Sequence, residues 1–486
     1  MLLTSDKILR RVLVDSDRLA VSESGELTIE GHKATDLIER YGSPLFVLSD
    51  STLRSNFWRI RSAFESEWPS SVNIMYALKC NPNFAVRAVM HEEGAGGDCF
   101  GLGELEATFA GGADPEKIAL NGSNKSDSLI DRAIDLGVYI NIDSEAEAQI
   151  IQRIAESKKK IVKVNIRLKV IPPEYEQYSS DLINFTGDFR AELRRLKWGV
   201  TEETAVRLID GWAAYPNLQL TGFHTHLGRL SQRLKDRIAY DREFAQVVSR
   251  IHLRTGYSPE IIDIGGGWPR SRDPESGSQN LNPYQIEEYA QGSCQVIREV
   301  FDPNSLNIPH LWLEPGRYIA GNAGILLTTV ESIKTDRELK WVYVDASTNI
   351  MPLIGAVVEG TCNHVFSATR MRETASTTAD VVGPLCIPSV LAPNCRLPSV
   401  NTGDILAILD AGMYAESDSN QLNWIPRPAT VMVKGGQSGL VREAETLDTI
   451  FSSQRLPGWL QKSTTVSSRY RRAALEASQQ GFQKVD

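Results

Sequence analysis

The sequence is poor in cysteine. It holds six in 486 residues (Cys80, Cys99, Cys294, Cys362, Cys386 and Cys395), and none stands in a Cys-x-x-Cys pair. That spacing fits neither a zinc site nor a disulfide scaffold, so no metal is expected and most of the thiols read as small hydrophobes. Long apolar runs are missing too: none reaches the ~18 uninterrupted residues that a membrane span requires. The opening Met1-Leu2-Leu3-Thr4-Ser5-Asp6-Lys7 has no basic segment leading into an apolar one. No signal peptide is read there, and a cytoplasmic protein is expected. Positive charge is outnumbered, 52 Lys and Arg against 61 Asp and Glu, for a net charge of −9. With no basic stripe, nucleic acid and anionic membrane are poor candidates for the main partner.

What is present suits a globular protein of two domains: 42% hydrophobic and 23% charged residues over a chain too long for one typical core. From Val72 onward, short apolar strands alternate with amphipathic helical stretches. The expected strands are Val72–Lys79, Gly97–Phe100, Ile118–Asn121, Tyr139–Asp143, Val162–Leu168, Leu218–His224, Ile261–Ile264 and Leu311–Glu314. Alternation of this kind over roughly 250 residues predicts a (β/α)8 TIM barrel, with an open doubly wound sheet as the alternative. After about residue 325 the helices stop, and strands such as Ile325–Val330, Lys340–Asp345, Ala379–Val382, Ile405–Leu409 and Ala429–Lys434 predict an all-β C-terminal domain. Short N-terminal strands, Leu27–Ile29 and Leu45–Leu48, are expected to join it. The predicted division is 1–50 (N-terminal segment of the β domain), 51–325 (barrel), 326–460 (β domain) and 461–486 (polar tail).

In a barrel of this kind, function sits at the C-terminal strand ends. Those ends carry Lys79, Asp98, Asn121, Ser144, Arg167, the run from His224 through His226 and Gly228 to Arg229, the glycines Gly265, Gly266 and Gly267, and Glu314-Pro315-Gly316-Arg317. Read singly, Lys79 is a strand-end lysine that snorkels into water, and the glycine run is a tight turn. Read together, they supply four parts. Lys79 is an amine whose burial lowers its pKa toward Schiff-base chemistry. The glycines and Arg317 outline an anion pocket. A histidine offers a ring for stacking. Glu314 is a carboxylate that would be costly without a cation such as a protonated ring nitrogen. Pyridoxal 5′-phosphate requires all four.

The segments Tyr76-Ala77-Leu78-Lys79-Cys80-Asn81, Gly222-Phe223-His224-Thr225-His226-Leu227-Gly228, Asp263-Ile264-Gly265-Gly266-Gly267, Glu314-Pro315-Gly316-Arg317, Gly383-Pro384-Leu385-Cys386 and Asp410-Ala411-Gly412-Met413-Tyr414 come in that order. This series resembles the fold type III pyridoxal-phosphate decarboxylases, diaminopimelate decarboxylase most closely, with ornithine and arginine decarboxylases behind it. The resemblance runs from about residue 40 to about residue 450. It implies an alanine-racemase-like barrel plus a β domain, a homodimer with shared active sites, and decarboxylation through an external aldimine and a quinonoid. It assigns Lys79 to the cofactor aldehyde, His226 to stacking, Glu314 to the pyridinium nitrogen, and Gly265 to Gly267 and Tyr414 to the phosphate. Gly228 and Gly316 fall within its cofactor-binding motifs, and Asp98 fills the acid position of its second strand. Arg317 serves the phosphate or a substrate carboxylate, and Cys386 protonates the intermediate in the neighbouring subunit's site.

The departures from the family pattern fall on substrate recognition. Where the family places an acid directly after Gly-Pro-x-Cys to read a distal ammonium group, this chain has Ile387. The Arg-Pro-x-x-Tyr stretch that grips a distal carboxylate is replaced by Leu353-Ile354-Gly355-Ala356-Val357, and a serine near the phosphate is replaced by Arg229. Arg229 is either a surface side chain or a ligand for phosphate or an acidic substrate. An insertion, Ile171–Trp198, carries the basic residues Arg190, Arg194, Arg195 and Lys197 and belongs at the site's rim as a lid or docking surface. The expected substrate is an amino acid, a conjugate of one or a carrier-linked aminoacyl group, larger or less basic than diaminopimelate. A racemase of the related fold and a non-catalytic regulator are the alternatives. Glu314 opposes the first, and retention of Lys79, Glu314, Cys386 and Tyr414 opposes the second.

Overall fold

The computed structural model describes residues 17–173, 189–228, 233–271, 282–352 and 363–461. Arg229, Leu353, Cys362, most of the Ile171–Trp198 insertion and nearly all of the tail lie outside them.

Eight parallel strands close into a barrel in chain order: Val72–Ala77, Gly96–Cys99, Ile118–Leu120, Tyr139–Ile142, Val162–Arg167, Leu218–His224, Ile261–Asp263 and His310–Leu313, the last pairing with the first. The open sheet is thereby excluded. Each crossover helix turns an apolar stripe inward, so that Ile130, Ile151, Phe244 and Ile297 all lie buried in one continuous core. The helix starts are written locally. Ser126 and Ser144 each accept an amide N–H from the first turn, at 3.2 Å, a cap that contributes about 1 kcal/mol. Ser144 therefore owes its place at a strand end to capping.

Several barrel strands stop one residue before the expected end. At the first, Val72–Ala77 gives way to a 3-10 turn, Leu78–Cys80. Lys79 therefore stands two residues beyond the end of its strand.

The second layer is a nine-stranded sheet in which Leu45–Ser49 lies at the centre, antiparallel to Gly324–Asp336 and parallel to Ala429–Lys434. That N-terminal strand joins the β domain as expected. Leu27–Ile29 does not enter the large sheet: it pairs with Leu19–Val21 and His32–Lys33 in a separate three-stranded sheet. This small sheet packs Leu27 and Ile29 into the core formed by Ile325, Leu327, Phe366 and Leu409. Helices do not stop altogether after residue 325. Thr446 caps the short helix Leu447–Phe451, and Gly458–Gln461 follows.

Candidate active site

The 3-10 turn aims Lys79 at the barrel mouth. Its Nζ meets Asp98 Oδ2 at 2.5 Å and lies 4.2 Å from the centre of the Phe100 ring. Asp98 is fully buried, whereas 30% of the Lys79 side chain stays exposed. Burial alone would depress the lysine's pKa, which was the sequence expectation. The Asp98 carboxylate, with Tyr414 and Glu314 behind it, outweighs burial and holds the ammonium above its ordinary value. Burial and the charge of Glu314 in turn raise the Asp98 carboxyl against the pull of Lys79. Lys79 must shed a proton before its nitrogen can attack a carbonyl, and the carboxylate of Asp98 is the hydrogen-bonded group beside it.

Glu314, 2% exposed, follows the eighth strand, which pairs with the strand that leads to Lys79. Asn121 Nδ2 donates to both carboxylates, at 2.8 Å to Asp98 Oδ1 and 2.6 Å to Glu314 Oε1. Behind Asn121 runs a chain of donors. Asn141 donates to Asn121 Oδ1 at 2.8 Å, Asn165 to Asn141 Oδ1 at 3.0 Å, and Thr221 to Asn165 Oδ1 at 2.7 Å. Barrel interiors are usually filled by branched apolar side chains; here the third to sixth strands lay a polar ladder whose N–H and O–H donors all point toward the acids. Only Asn121 was read as a strand end from sequence. The signal for Asn141 and Asn165 was an amide at an inward position of a buried strand.

His224 and Asp263 complete the acidic floor, with one polar atom from each of His224, Asp263 and Glu314 inside 4.8 Å of one another. Burial and the neighbouring Glu314 push the Asp263 carboxyl well above the carboxylate range. Asp263 Oδ2 is buried without a hydrogen-bond partner. Among the described residues, this floor has more carboxylate than matched cation, and a protonated ring nitrogen would correct the balance.

The strand Leu218–His224 ends before His226, which therefore leaves the sheet as its following glycine suggested. The Gly266 N–H donates to His226 Nδ1 at 2.9 Å, so the ring proton resides on Nε2. Burial holds the imidazoles of both His224 and His226 well below the ordinary value, the first helped by the positive charge of Arg167. Both rings are neutral near pH 7. In the unfolded chain they protonate below about pH 6.5, so their contribution to stability is complete above that value and is lost as pH falls toward the folded-state pKa. The raised carboxyl groups act in the opposite sense, which makes the comparison of variants the informative one. The fall in unfolding midpoint of cofactor-free protein between pH 7.5 and 5.5 is expected to be smaller in His224→Gln than in the parent; an equal fall would contradict the assignment. The two pH values are set roughly a unit to either side of the free imidazole pKa.

The glycine loop differs from the expected cradle of three free amides. Gly265 N–H donates to Asp263 Oδ1 at 2.9 Å and Gly266 N–H to His226. Among the described residues no acceptor meets the Gly267 N–H. Gly267 has φ +83°, and a Cβ there would lie 2.3 Å from the Gly228 carbonyl oxygen, so no larger residue fits. Gly316 is required for a similar reason, since a Cβ would come within 2.7 Å of Cys80 Cβ. Arg317 follows it, 4% exposed and without an ion pair among the described residues. Tyr414, at φ +53°, is drawn to the lysine turn by its own N–H, which donates to the Cys80 carbonyl at 2.7 Å. Burial pushes its hydroxyl pKa up to about 12. A buried guanidinium, a free amide and a phenol suit a phosphate; the acidic floor suits a pyridine nitrogen; Lys79 suits an aldehyde. The residues present fit pyridoxal phosphate.

Cys386 and Ile387 are not brought to this mouth. Both are exposed on a turn of the β domain, where the Cys386 N–H donates to Asn423 Oδ1 at 3.1 Å. Arg229 and Leu353 fall outside the described residues, so their expected substrate roles gain no geometry.

Comparison with known proteins points the same way. The pyridoxal-binding domain model of the pyridoxal-dependent decarboxylases matches residues 51–321. The chain is similar to diaminopimelate decarboxylase of Methanothermobacter thermautotrophicus, 32% identical across 91% of this chain and 99% of the relative. It is also similar to that of Vibrio cholerae, at 31% across 90% and 98%. The crystal structure of diaminopimelate decarboxylase from M. jannaschii superposes with a TM-score of 0.83 at 25% identity, covering 91% of this chain and 99% of that one. No helix among the described residues is long and apolar enough to cross a membrane.

Proposed function

The chain belongs to the pyridoxal-dependent decarboxylases, and from that premise we propose that it removes carbon dioxide from an amino acid whose distal end differs from that of diaminopimelate. The reaction class, a pyridoxal-phosphate-dependent carboxy-lyase acting on an amino acid, follows from the family. When bound, the cofactor supplies the electron sink that accepts the pair left by the departing carboxylate.

The side chains divide the remaining work. Lys79 Nζ, once it has lost its proton, would hold the cofactor aldehyde, with Asp98 as its hydrogen-bonded carboxylate. Glu314, oriented by Asn121, keeps a proton on the pyridine nitrogen and so keeps the sink strong. His226, as a neutral imidazole, would stack on the cofactor ring. Arg317, Gly267 and Tyr414 grip the phosphate. Cys386 reaches the site of a second copy in a homodimer and returns a proton to the substrate carbon. In support of this last role, Cys386 is exposed on a turn of the β domain, free to meet a second copy. We place the enzyme in the cytoplasm.

The departure from diaminopimelate rests on one observation: the residue after Cys386 is Ile387, half-exposed and apolar, where the family carries an acid. A desolvated distal ammonium left without its partner costs on the order of 2–5 kcal/mol. Carbon dioxide release from a panel of D- and L-amino acids, diaminopimelate and aminoacyl conjugates tests the reading. A larger or less basic substrate is expected to exceed diaminopimelate in kcat/KM by at least about tenfold, the equivalent of ~1.4 kcal/mol. Diaminopimelate as the best substrate would return Ile387 to a bystander, and inversion without gas evolution would overturn decarboxylation itself.

A further inference from the structure

We propose that Arg237, which reaches neither the Lys79 amine nor Glu314, is a positioning residue for the cofactor phosphate. The inference rests on reading Gly265–Gly267 as part of the phosphate cradle. Arg237 lies on the helix Leu234–Thr255, where a spacing of four from Asp241 would pass in sequence for a surface ion pair. Instead it is 2% exposed, and Asp241 is fully buried.

Its guanidinium is used on three sides and one face. Nε donates to Asp241 Oδ2 at 2.8 Å, Nη1 to the Gly266 carbonyl at 3.0 Å and Nη2 to the Ile264 carbonyl at 2.8 Å. The fork lies over the Trp268 ring, 3.7 Å from its centre, and Trp268 Nε1 donates to the Gly265 carbonyl at 3.0 Å. Three consecutive carbonyls of the loop are therefore held from below by Arg237 and Trp268. In a trans peptide the N–H points opposite to the C=O of the same unit. Holding the Gly266 carbonyl down thus turns the Gly267 N–H up, and this is the amide that no described acceptor engages.

The clamp solves a problem specific to this loop. Glycines at φ +70° and +83° can rotate their peptide planes at little cost, and a flipped plane would present a carbonyl oxygen to an anion. Two divergent N–H donors on one rigid plane forbid the flip. A lysine, with a single point of attachment, does not span both carbonyls.

The test measures affinity for pyridoxal phosphate and for pyridoxal, which lacks the phosphate, by absorbance titration. Three proteins are compared: the parent, Arg237→Lys, and the double variant Arg237→Met with Asp241→Asn, which leaves no lone buried charge. The unfolding midpoint of each is recorded. The parent is expected to prefer pyridoxal phosphate by several orders of magnitude. In both variants that preference should fall at least ~10-fold, with pyridoxal affinity little changed. A folded variant that keeps the parental preference overturns the role of Arg237. Arg237→Lys, which retains the charge beside Asp241, carries the test if the double variant does not fold. A parent that binds the two ligands equally would overturn the cradle reading itself, before any variant is considered.

Discussion

Glu314→Gln is expected to lower kcat by about 10²–10³-fold while leaving affinity for pyridoxal phosphate within a few-fold of the parent. Glutamine keeps the shape of the side chain and its capacity to accept from Asn121, whose Nδ2 lies 2.6 Å from Oε1. It removes the negative charge that makes a proton on the pyridine nitrogen favourable. In the proposed site the cofactor is held by Lys79, Arg317 and the amide of Gly267, none of which the substitution touches. An interaction strengthened as charge develops appears in kcat, whereas a uniform binding contact appears in affinity. A kcat within tenfold of the parent would show that Glu314 is not the charge partner of the ring.

Lys79→Ala is expected to abolish turnover and, with it, the absorbance band near ~420 nm that a protonated lysine–cofactor linkage produces. The loss should exceed about 10⁴-fold, as for removal of other covalent nucleophiles. Asp98 then faces no cation in a fully buried position, and its carboxyl should take up a proton at neutral pH. Lys79→Arg separates the two consequences: it restores a positive partner for Asp98 without a nucleophile that can condense with an aldehyde. Both variants should therefore be colourless and inactive, and the arginine variant should be the more stable to heat. An arginine variant that still forms the band would place the cofactor on another residue.

The strand ends were legible because a parallel barrel collects them at one face whatever the helices do. Lys79, Asp98, His226, the glycines and Glu314 could be grouped from their positions alone. What the sequence did not disclose depends on tertiary partners. The sign of the Lys79 shift is set by Asp98, 19 positions away, and the expectation from burial alone had it reversed. Two of the three glycine amides are consumed by Asp263 and His226, a fact no spacing reports. Arg237 is not legible because its spacing of four from Asp241 on a helix is that of an ordinary surface ion pair. In the β domain, Val390–Leu397 was missed because it contains Pro393 and Asn394, residues that ordinarily mark a loop. Its place at the edge of the sheet leaves one row of backbone groups unpaired and so tolerates the proline.

The central claim is that Lys79 carries the cofactor, and its most direct test is chemical trapping. Parent protein is loaded with pyridoxal phosphate, reduced with borohydride to make the linkage permanent, digested and mapped by mass. A single pyridoxyl-phosphate adduct on the peptide containing Lys79 is the expected result. Adduct on a different lysine, or none in protein that remains folded, would contradict the account.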